Sequence, residues 1–391
     1  MVTRRDAFDA VVLGGGVIGA AAARALLARR RRVALVEQYA AGHERGSSHG
    51  DGRIIRYSYA EPIYVEMARR AYAAWSALAA AAGTRLVDRT GGLDCGPRDS
   101  PQLAELAATL GRLEVPFERL DAAGVRRRFP QLRLPAGAEA LYQADGGVVR
   151  AARAVAALWR LVEAEGGRIL GGFRARRIAV EDDGITVYAA DGRAARAPRL
   201  VLAAGAWSGA LLAPLGLDLP LVATEEQVAY FAPRPGAASH AVGELPTVID
   251  YHGGDAPFYA LPQIEVPGVK VGQHRTGEPI DADGPRRLRP ELRRRLCDYV
   301  ARSWPQLEPA PLVETTCLYT NTPDHDFVVD HHPQDERLVI GAGFSGHGFK
   351  FAPVIGEMLA ALALGEPDPL PRRRFAIARF AAGRRTGSTG T

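Results

Sequence analysis

The sequence predicts an α/β protein in which a domain built on a parallel βαβ unit is interleaved with an α+β domain containing a mixed β-sheet. Three observations carry this expectation. The first is an apolar run at 8–13, followed at once by Gly14-Gly15-Gly16-Val17-Ile18-Gly19, an alanine-rich helical stretch to about residue 29, and a second apolar run at 33–36 ending at Glu37. The second is a pair of later apolar runs, 199–204 and 338–341, each leading into glycine: Gly205-Ala206-Trp207 and Gly343-Phe344-Ser345-Gly346-His347-Gly348-Phe349-Lys350. The third is the stretch 216–315, whose alternating runs (219–231, 247–251, 258–261, 269–273) are divided by turn residues, the pattern of strands with one buried face.

In the opening unit each residue type has a physical reason. Strand, G-x-G-x-x-G, helix, strand and acid follow in the order and spacing of a Rossmann-type dinucleotide site. Gly14 permits the tight turn, Gly16 lets the backbone approach a pyrophosphate, and Gly19 lets the helix lie against the strand. The first helical N–H groups, at Val17 and Ile18, face a diphosphate with the positive end of the helix dipole. Glu37, with Gln38 beside it, is placed to accept hydrogen bonds from ribose hydroxyls, and its charge disfavours a 2′-phosphate. The fingerprint alone serves NAD and FAD alike. The polar, glycine-rich segment Gly46-Ser47-Ser48-His49-Gly50-Asp51-Gly52-Arg53 and the two later glycine-rich strand ends are more than a nicotinamide needs. They suit FAD, lying across the sheet with its ring held by the last loop.

The FAD-binding domain is therefore expected to be discontinuous, over 1–85, 145–215 and 316–380. A substrate domain takes 86–144 and 216–315, and 381–391, rich in Gly, Ser and Thr, is expected to be a frayed tail. Helical patterns at 63–81 and 150–165 pack outside. Arg4-Arg5 imitates a twin-arginine signal, but Arg24 interrupts the apolar stretch and the fingerprint lies within it, so it reads as mature fold. The Gly-Thr ending is not a peroxisomal signal, and no run reaches transmembrane length. A hydrophobic content of 47% with 24% charged residues excludes a disordered chain and fits a globular enzyme. The net charge of +5 is spread along the chain with no basic segment interleaved with aromatics, so no nucleic-acid partner is expected, only a mild pull on anionic substrates. Cys95, Cys297 and Cys317 form neither a disulfide framework nor a C-x-x-C pair, which fits a reducing cytoplasm. His325 and the adjacent His331 and His332 read as surface or FAD-domain residues, and no metal is expected.

Of the 49 basic Lys and Arg residues only Lys270 and Lys350 are lysine. Exposed lysines convert to arginine at little cost. A lysine left in such a background marks a place where a compact ammonium with a shiftable pKa is needed.

Several segments together resemble the monomeric sarcosine oxidase family, including the N-methyltryptophan and pipecolate oxidases, within the D-amino-acid-oxidase superfamily. They are Ser48-His49-Gly50-Asp51 with Arg53-Ile54-Ile55-Arg56, Lys270-Val271-Gly272-Gln273-His274, Cys317-Leu318-Tyr319-Thr320, and the loop 343–351; the likeness runs from about residue 8 to 375. The resemblance implies that Cys317 holds the flavin covalently at its 8α-methyl group, a position that needs sulfur and nearby positive charge. It implies that Arg56 and Lys350 clamp the substrate carboxylate. It implies that Lys270 is the lysine beside flavin N5 that promotes reaction with oxygen. By the same resemblance His49 and Arg53 are expected to line the flavin face, His274 and Tyr319 to surround the substrate amine and carboxylate, and Tyr259 to close the pocket from the facing strand. Ala175, Gly205, Trp207, Gly346, Gly348 and Phe349 complete the cofactor set with Ser48.

The activity so implied is oxidation of the C–N bond of sarcosine or a similar N-alkyl amino acid by a monomer, with O2 as acceptor and H2O2 as product. The imine formed hydrolyses, to formaldehyde and glycine when sarcosine is the substrate. The alternatives are an FAD-dependent dehydrogenase, an oxidase of pipecolate, N-methyltryptophan or a glycated amino acid, and a non-catalytic FAD-binding subunit. Gly52 replaces a hydroxyl residue usual in the family, Tyr57 stands where histidine is typical, and 249–258 is slightly longer, so the accepted side chain stays open.

Overall fold

The computed structural model describes residues 8–380; the expected tail at 381–391 and the Arg4-Arg5 pair lie outside the described residues. The strands Ala10–Leu13 and Val33–Val36 carry no polar side chain, so both faces can be covered, and they pair in parallel, fully buried. They centre a six-stranded sheet of order Val328–His332, Asp335–Ala342, Leu200–Leu202, Ala10–Leu13, Val33–Val36, Arg168–Leu170, parallel except between the first two. Alternate residues divide its faces. Val12, Leu35 and Val339 pack with Leu26, Leu158 and Ile355 of the helices Val17–Ala28, Ala151–Ala164 and Ala352–Leu364. On the other face Val11, Leu202 and Ile340 meet Ile178 and Val187 of a three-stranded antiparallel sheet, Ala175–Glu181, Gly184–Ala189 and Ala194–Ala197.

A nine-stranded mixed sheet forms the second layer. Its order is Glu278–Pro279, Val222–Pro233, Val269–Gln273, Phe258–Leu261, Thr247–Asp250, Gly92–Pro97, Ala138–Gln143, Glu118–Asp121, with Leu307–Asn321 paired antiparallel to Val222–Pro233. Only Thr247–Asp250 and Gly92–Pro97 are parallel neighbours in it. Strand alternation again sets the faces. Ala229, Phe231, Ala260, Val269 and Val271 pack with Leu296, Tyr299 and Trp304 at the helix Pro290–Ser303, whereas Val228, Tyr230, Tyr259, Leu261 and Lys270 face a cavity. A small sheet of Gly52–Ile55, Val87–Arg89 and Gly147–Arg150 lies between the glycine-rich segment and the helix Pro62–Ala82.

The helices expected at 63–81 and 150–165 are Pro62–Ala82 and Ala151–Ala164. The strand expected from 8 begins at Ala10, and the one expected at 199–204 is confined to Leu200–Leu202, because the chain then enters the 3-10 turn Gly205–Trp207. The strand expected from 219 starts at Val222, after Pro220, which has no N–H to give a ladder, and runs on to Pro233. The strand expected at 247–251 ends at Asp250, whose Oδ1 accepts from the His252 N–H at 3.0 Å and turns the chain into Tyr251–Gly253. The long strand Leu307–Asn321 was not foreseen; it spans residue 316, where the sequence partition separates the two domains.

Candidate active site and cofactor crevice

At the carboxyl ends of the parallel strands lies an elongated crevice of about 580 Å³. It is lined by Gly14, Gly16, Val17 and Ile18, by Glu37 and Gln38, by Ser48, His49 and Arg53, and by Ala175, Gly205 and Trp207. Cys317, Gly346, Gly348 and Phe349 line it as well. Two expected cofactor residues are not on its wall. Gly19 lies where a Cβ would sit 1.8 Å from the Gly14 carbonyl oxygen, so its part is helix–strand approach. Lys350 belongs instead to the adjoining cavity.

The crevice fits the adenine dinucleotide of FAD. Gly14 holds φ +112°, the turn that needs glycine, and the bare Gly16 Cα leaves the backbone accessible. Glu37 is buried; its Oε2 accepts from the Gly15 N–H at 2.7 Å and its Oε1 from the Tyr39 N–H at 2.9 Å. The Val17 N–H, expected to face a diphosphate, instead donates to Ser48 Oγ at 3.1 Å, and the Trp159 indole donates to the Gly15 carbonyl at 2.7 Å, two contacts that order the turn. Trp159 was absent from the sequence expectations; nothing in its helical setting distinguishes it from a packing residue.

The crevice joins a second cavity of about 680 Å³, the two sharing His49, Gly50, Arg53, Cys317, Tyr319, Gly346 and Phe349. Arg53 is fixed by backbone carbonyls, donating to Gly52 at 2.9 Å, Ser47 at 3.1 Å and His49 at 2.7 Å. His49 Nε2 is buried with no partner in the protein, and burial, then Arg53 and Lys270, lower its pKa to about 3. Lys270 is also buried; its Nζ donates to the Gly52 carbonyl at 3.3 Å. Burial and then Arg53 lower its pKa to about 8, with Asp51 and Cys317 opposing. Asp51 itself is held by the Tyr230 hydroxyl at 2.8 Å. The Cys317 thiol is free; burial raises its pKa while Arg53 and Lys270 pull it down.

The other half of the second cavity gathers the expected substrate groups. Lys350 Nζ donates to Tyr59 Oη at 2.8 Å and to the His347 carbonyl at 2.9 Å, and burial followed by Arg56 pushes its pKa well below the ordinary lysine value. His274 Nδ1 and Tyr319 Oη are 3.2 Å apart. Burial drives the His274 pKa well down and those of Tyr259 and Tyr319 up, so all three rings are neutral at physiological pH. Gly346, at φ +78°, lies where a Cβ would meet the Tyr319 ring at 2.1 Å; the late loop needs glycine to pass.

Arg56 lines this cavity with one edge engaged: Nη1 donates to the buried Asp94 and to Tyr251 Oη at 3.4 Å. Asp94 was not anticipated. Its signal was legible, a carboxylate in the otherwise small and apolar run Gly92-Leu93-Asp94-Cys95-Gly96. Tyr59, Tyr230, Tyr251, Arg275 and His347 line the cavity without having been singled out; His325, expected to be a surface or FAD-domain residue, also lies on its wall, while His331 and His332 do not. Among the described residues no group of three or more His, Cys, Asp or Glu could hold a metal ion, and no helix is long and apolar enough to cross a membrane.

Comparison with known proteins places this geometry. The chain is 36% identical to the peroxisomal sarcosine oxidase of Homo sapiens over 97% of its length and 98% of that protein's. It is likewise 36% identical to the monomeric sarcosine oxidase of Streptomyces avermitilis, over 96% and 98%. The solved structure of NikD, an unusual amino acid oxidase essential for nikkomycin biosynthesis, superposes with a TM-score of 0.84 at 28% identity, covering 95% of this chain and 97% of that one. The pattern of the FAD dependent oxidoreductase (DAO) family matches residues 9–362. The chain belongs to this family and is an FAD-dependent oxidoreductase with sarcosine oxidase-like relatives.

Proposed function

We propose that the protein is an oxidase of small secondary amino acids, sarcosine or a related N-alkyl amino acid. One observation carries the reading: a cavity continuous with the dinucleotide crevice brings Arg56, Lys350, Lys270, His274 and Tyr319 together. Bound FAD would supply the two-electron acceptor for hydride from the carbon next to nitrogen, and would pass the electrons to O2 as H2O2.

The protein's residues bind and orient. The Nε and Nη2 donors of Arg56, left over beside Asp94, and Lys350 hold the substrate carboxylate, whose negative charge would oppose the burial and the Arg56 charge that lower the Lys350 pKa. Neutral His274 and Tyr319 offer hydrogen bonds without adding charge, which keeps the amine as the free base. Lys270, with Arg53 next to it, provides the fixed positive charge at which oxygen is reduced. Cys317 bears the flavin; burial holds its thiol pKa above the ordinary value, and the same two cations oppose that shift. The imine product takes up water, so that sarcosine, O2 and H2O give glycine, formaldehyde and H2O2.

The test is an anaerobic screen of N-methyl and cyclic amino acids, following flavin bleaching at roughly 450 nm. Bleaching by such compounds, followed in air by oxygen uptake with peroxide release, is the expected result. A yellow protein that none of them bleaches refutes the reading.

A further inference from the structure

Arg275 follows His274 directly on the wall of the second cavity. It holds φ +59°, and on the same cavity wall His325 holds φ +60°; residues other than glycine adopt this left-handed conformation rarely, and such strain concentrates at ligand sites. The His325 Nδ1 is buried without a partner, and burial, then the positive charge of Arg275, disfavours protonation of that ring.

The other arginines of this region are engaged. Arg53 is tied to three carbonyls, Arg56 to Asp94, Arg374 to Asp326 and Glu61, and Arg379 to Asp324. Those contacts also account for three of the carboxylates at the cavity wall. Among the described residues the Arg275 guanidinium makes no hydrogen bond or ion pair; Tyr319, Tyr59, Glu226 and Asp255 act on it only through space. Glu226 is fully occupied, accepting from Thr224 Oγ1 at 2.7 Å and from the Thr276 and Gly277 N–H groups at 3.1 and 3.0 Å. Asp255 lies on the same cavity wall without closing an ion pair. Arg275 is solvent-exposed, and a guanidinium on the wall of a substrate cavity with no counter-ion in the protein is open to an anionic ligand. Arg56 and Lys350 already provide for one carboxylate.

We propose that Arg275, with His325 on the same cavity wall, forms a second anion subsite, and that the preferred substrates are secondary amino acids carrying a second carboxylate, such as N-methyl derivatives of glutamate or aspartate. This rests on the cavity being the amino acid site. The cavity of about 680 Å³ also borders the residues assigned to the flavin ring, and Arg275 and His325 lie on the part of its wall away from them, beside the groups assigned to the substrate.

The experiment compares kcat/KM for N-methyl-L-glutamate with that for the similarly sized neutral N-methyl-L-leucine, in the wild type, R275Q and R275K. The expected result is a preference for the acidic substrate of tenfold or more, reduced at least tenfold in R275Q and largely kept in R275K. A wild type that prefers the neutral substrate, or a ratio that R275Q leaves unmoved, overturns the proposal. Should no N-alkyl amino acid bleach the flavin, the functional reading fails by itself, and the subsite is then decided by ligand titration of the flavin spectrum. Glutarate binding at least tenfold more tightly than butyrate, with the difference lost in R275Q, supports the subsite; equal binding refutes it.

Discussion

Cys317 lines both the crevice and the cavity, Lys270 lines the cavity, and each makes a separable prediction. Cys317→Ser is expected to release yellow colour into the supernatant after acid precipitation, whereas the wild-type pellet keeps it; colour in the wild-type supernatant would refute covalent attachment. Lys270→Met is expected to slow reoxidation by oxygen while leaving anaerobic reduction nearly intact, and a stopped-flow comparison that finds both half-reactions equally impaired rejects the oxygen role. The same substitution carries a stability signature in flavin-free protein. The folded pKa of about 8 lies below the ordinary value of 10.5, so between these values the unfolded chain binds more protons and stability rises with pH. Below pH 8 the buried ammonium costs on the order of 3 kcal/mol. Lys270→Met is thus expected to raise the melting temperature at pH 7, by a margin that shrinks through the window from 8 to 10.5. The scarcity of lysine makes Lys270 and Lys350 stand out in the sequence itself. Arg275 is hidden there for a different reason: one arginine among dozens carries no signal, and only three dimensions show that it lines the cavity without a counter-ion.

At the level of elements, the most specific demand is the meeting of the first strand and first helix. Gly19→Ala forces a Cβ into the Gly14 carbonyl, backbone against backbone, and is expected to cost about 1–3 kcal/mol and weaken FAD retention. Gly111→Ala is the contrast: it lies in the helix Pro101–Arg112 with nothing within 4 Å of its added Cβ, and is expected to gain about 0.5–1 kcal/mol. Thermal melts and flavin content of the two variants check the pair. The βαβ unit was legible because its chemistry is local, with turn, dipole and acid lying within 30 residues. The strand Leu307–Asn321 was not, because Glu308, Pro309 and Pro311 break its early pattern and it is held by a long antiparallel pairing with Val222–Pro233 that no local window contains.

Over the whole molecule, six of the nine histidines (His49, His240, His274, His325, His332, His347) have lowered pKa values, burial being the largest cause for each. The unfolded chain takes up protons near the ordinary value of 6.5, and the folded one only at lower pH. Stability of the flavin-free protein is therefore expected to fall as pH drops below about 6.5, each histidine contributing until its own folded pKa is passed. Melts between neutral and mildly acidic pH read this directly, and a flat profile there contradicts it.

In the mixed sheet a single residue of offset separates Lys270, which faces the cavity, from Val269 and Val271, which face Trp304 and Tyr299. Inserting or deleting one residue within Val269–Gln273 would turn that strand over, sending the ammonium into hydrocarbon and a valine toward the ring. The strands therefore tolerate exchange of residues but not change of length. Any remodelling of what the enzyme accepts has to come through the connections, such as 251–257, whose Tyr251 and Asp255 already reach the cavity rim.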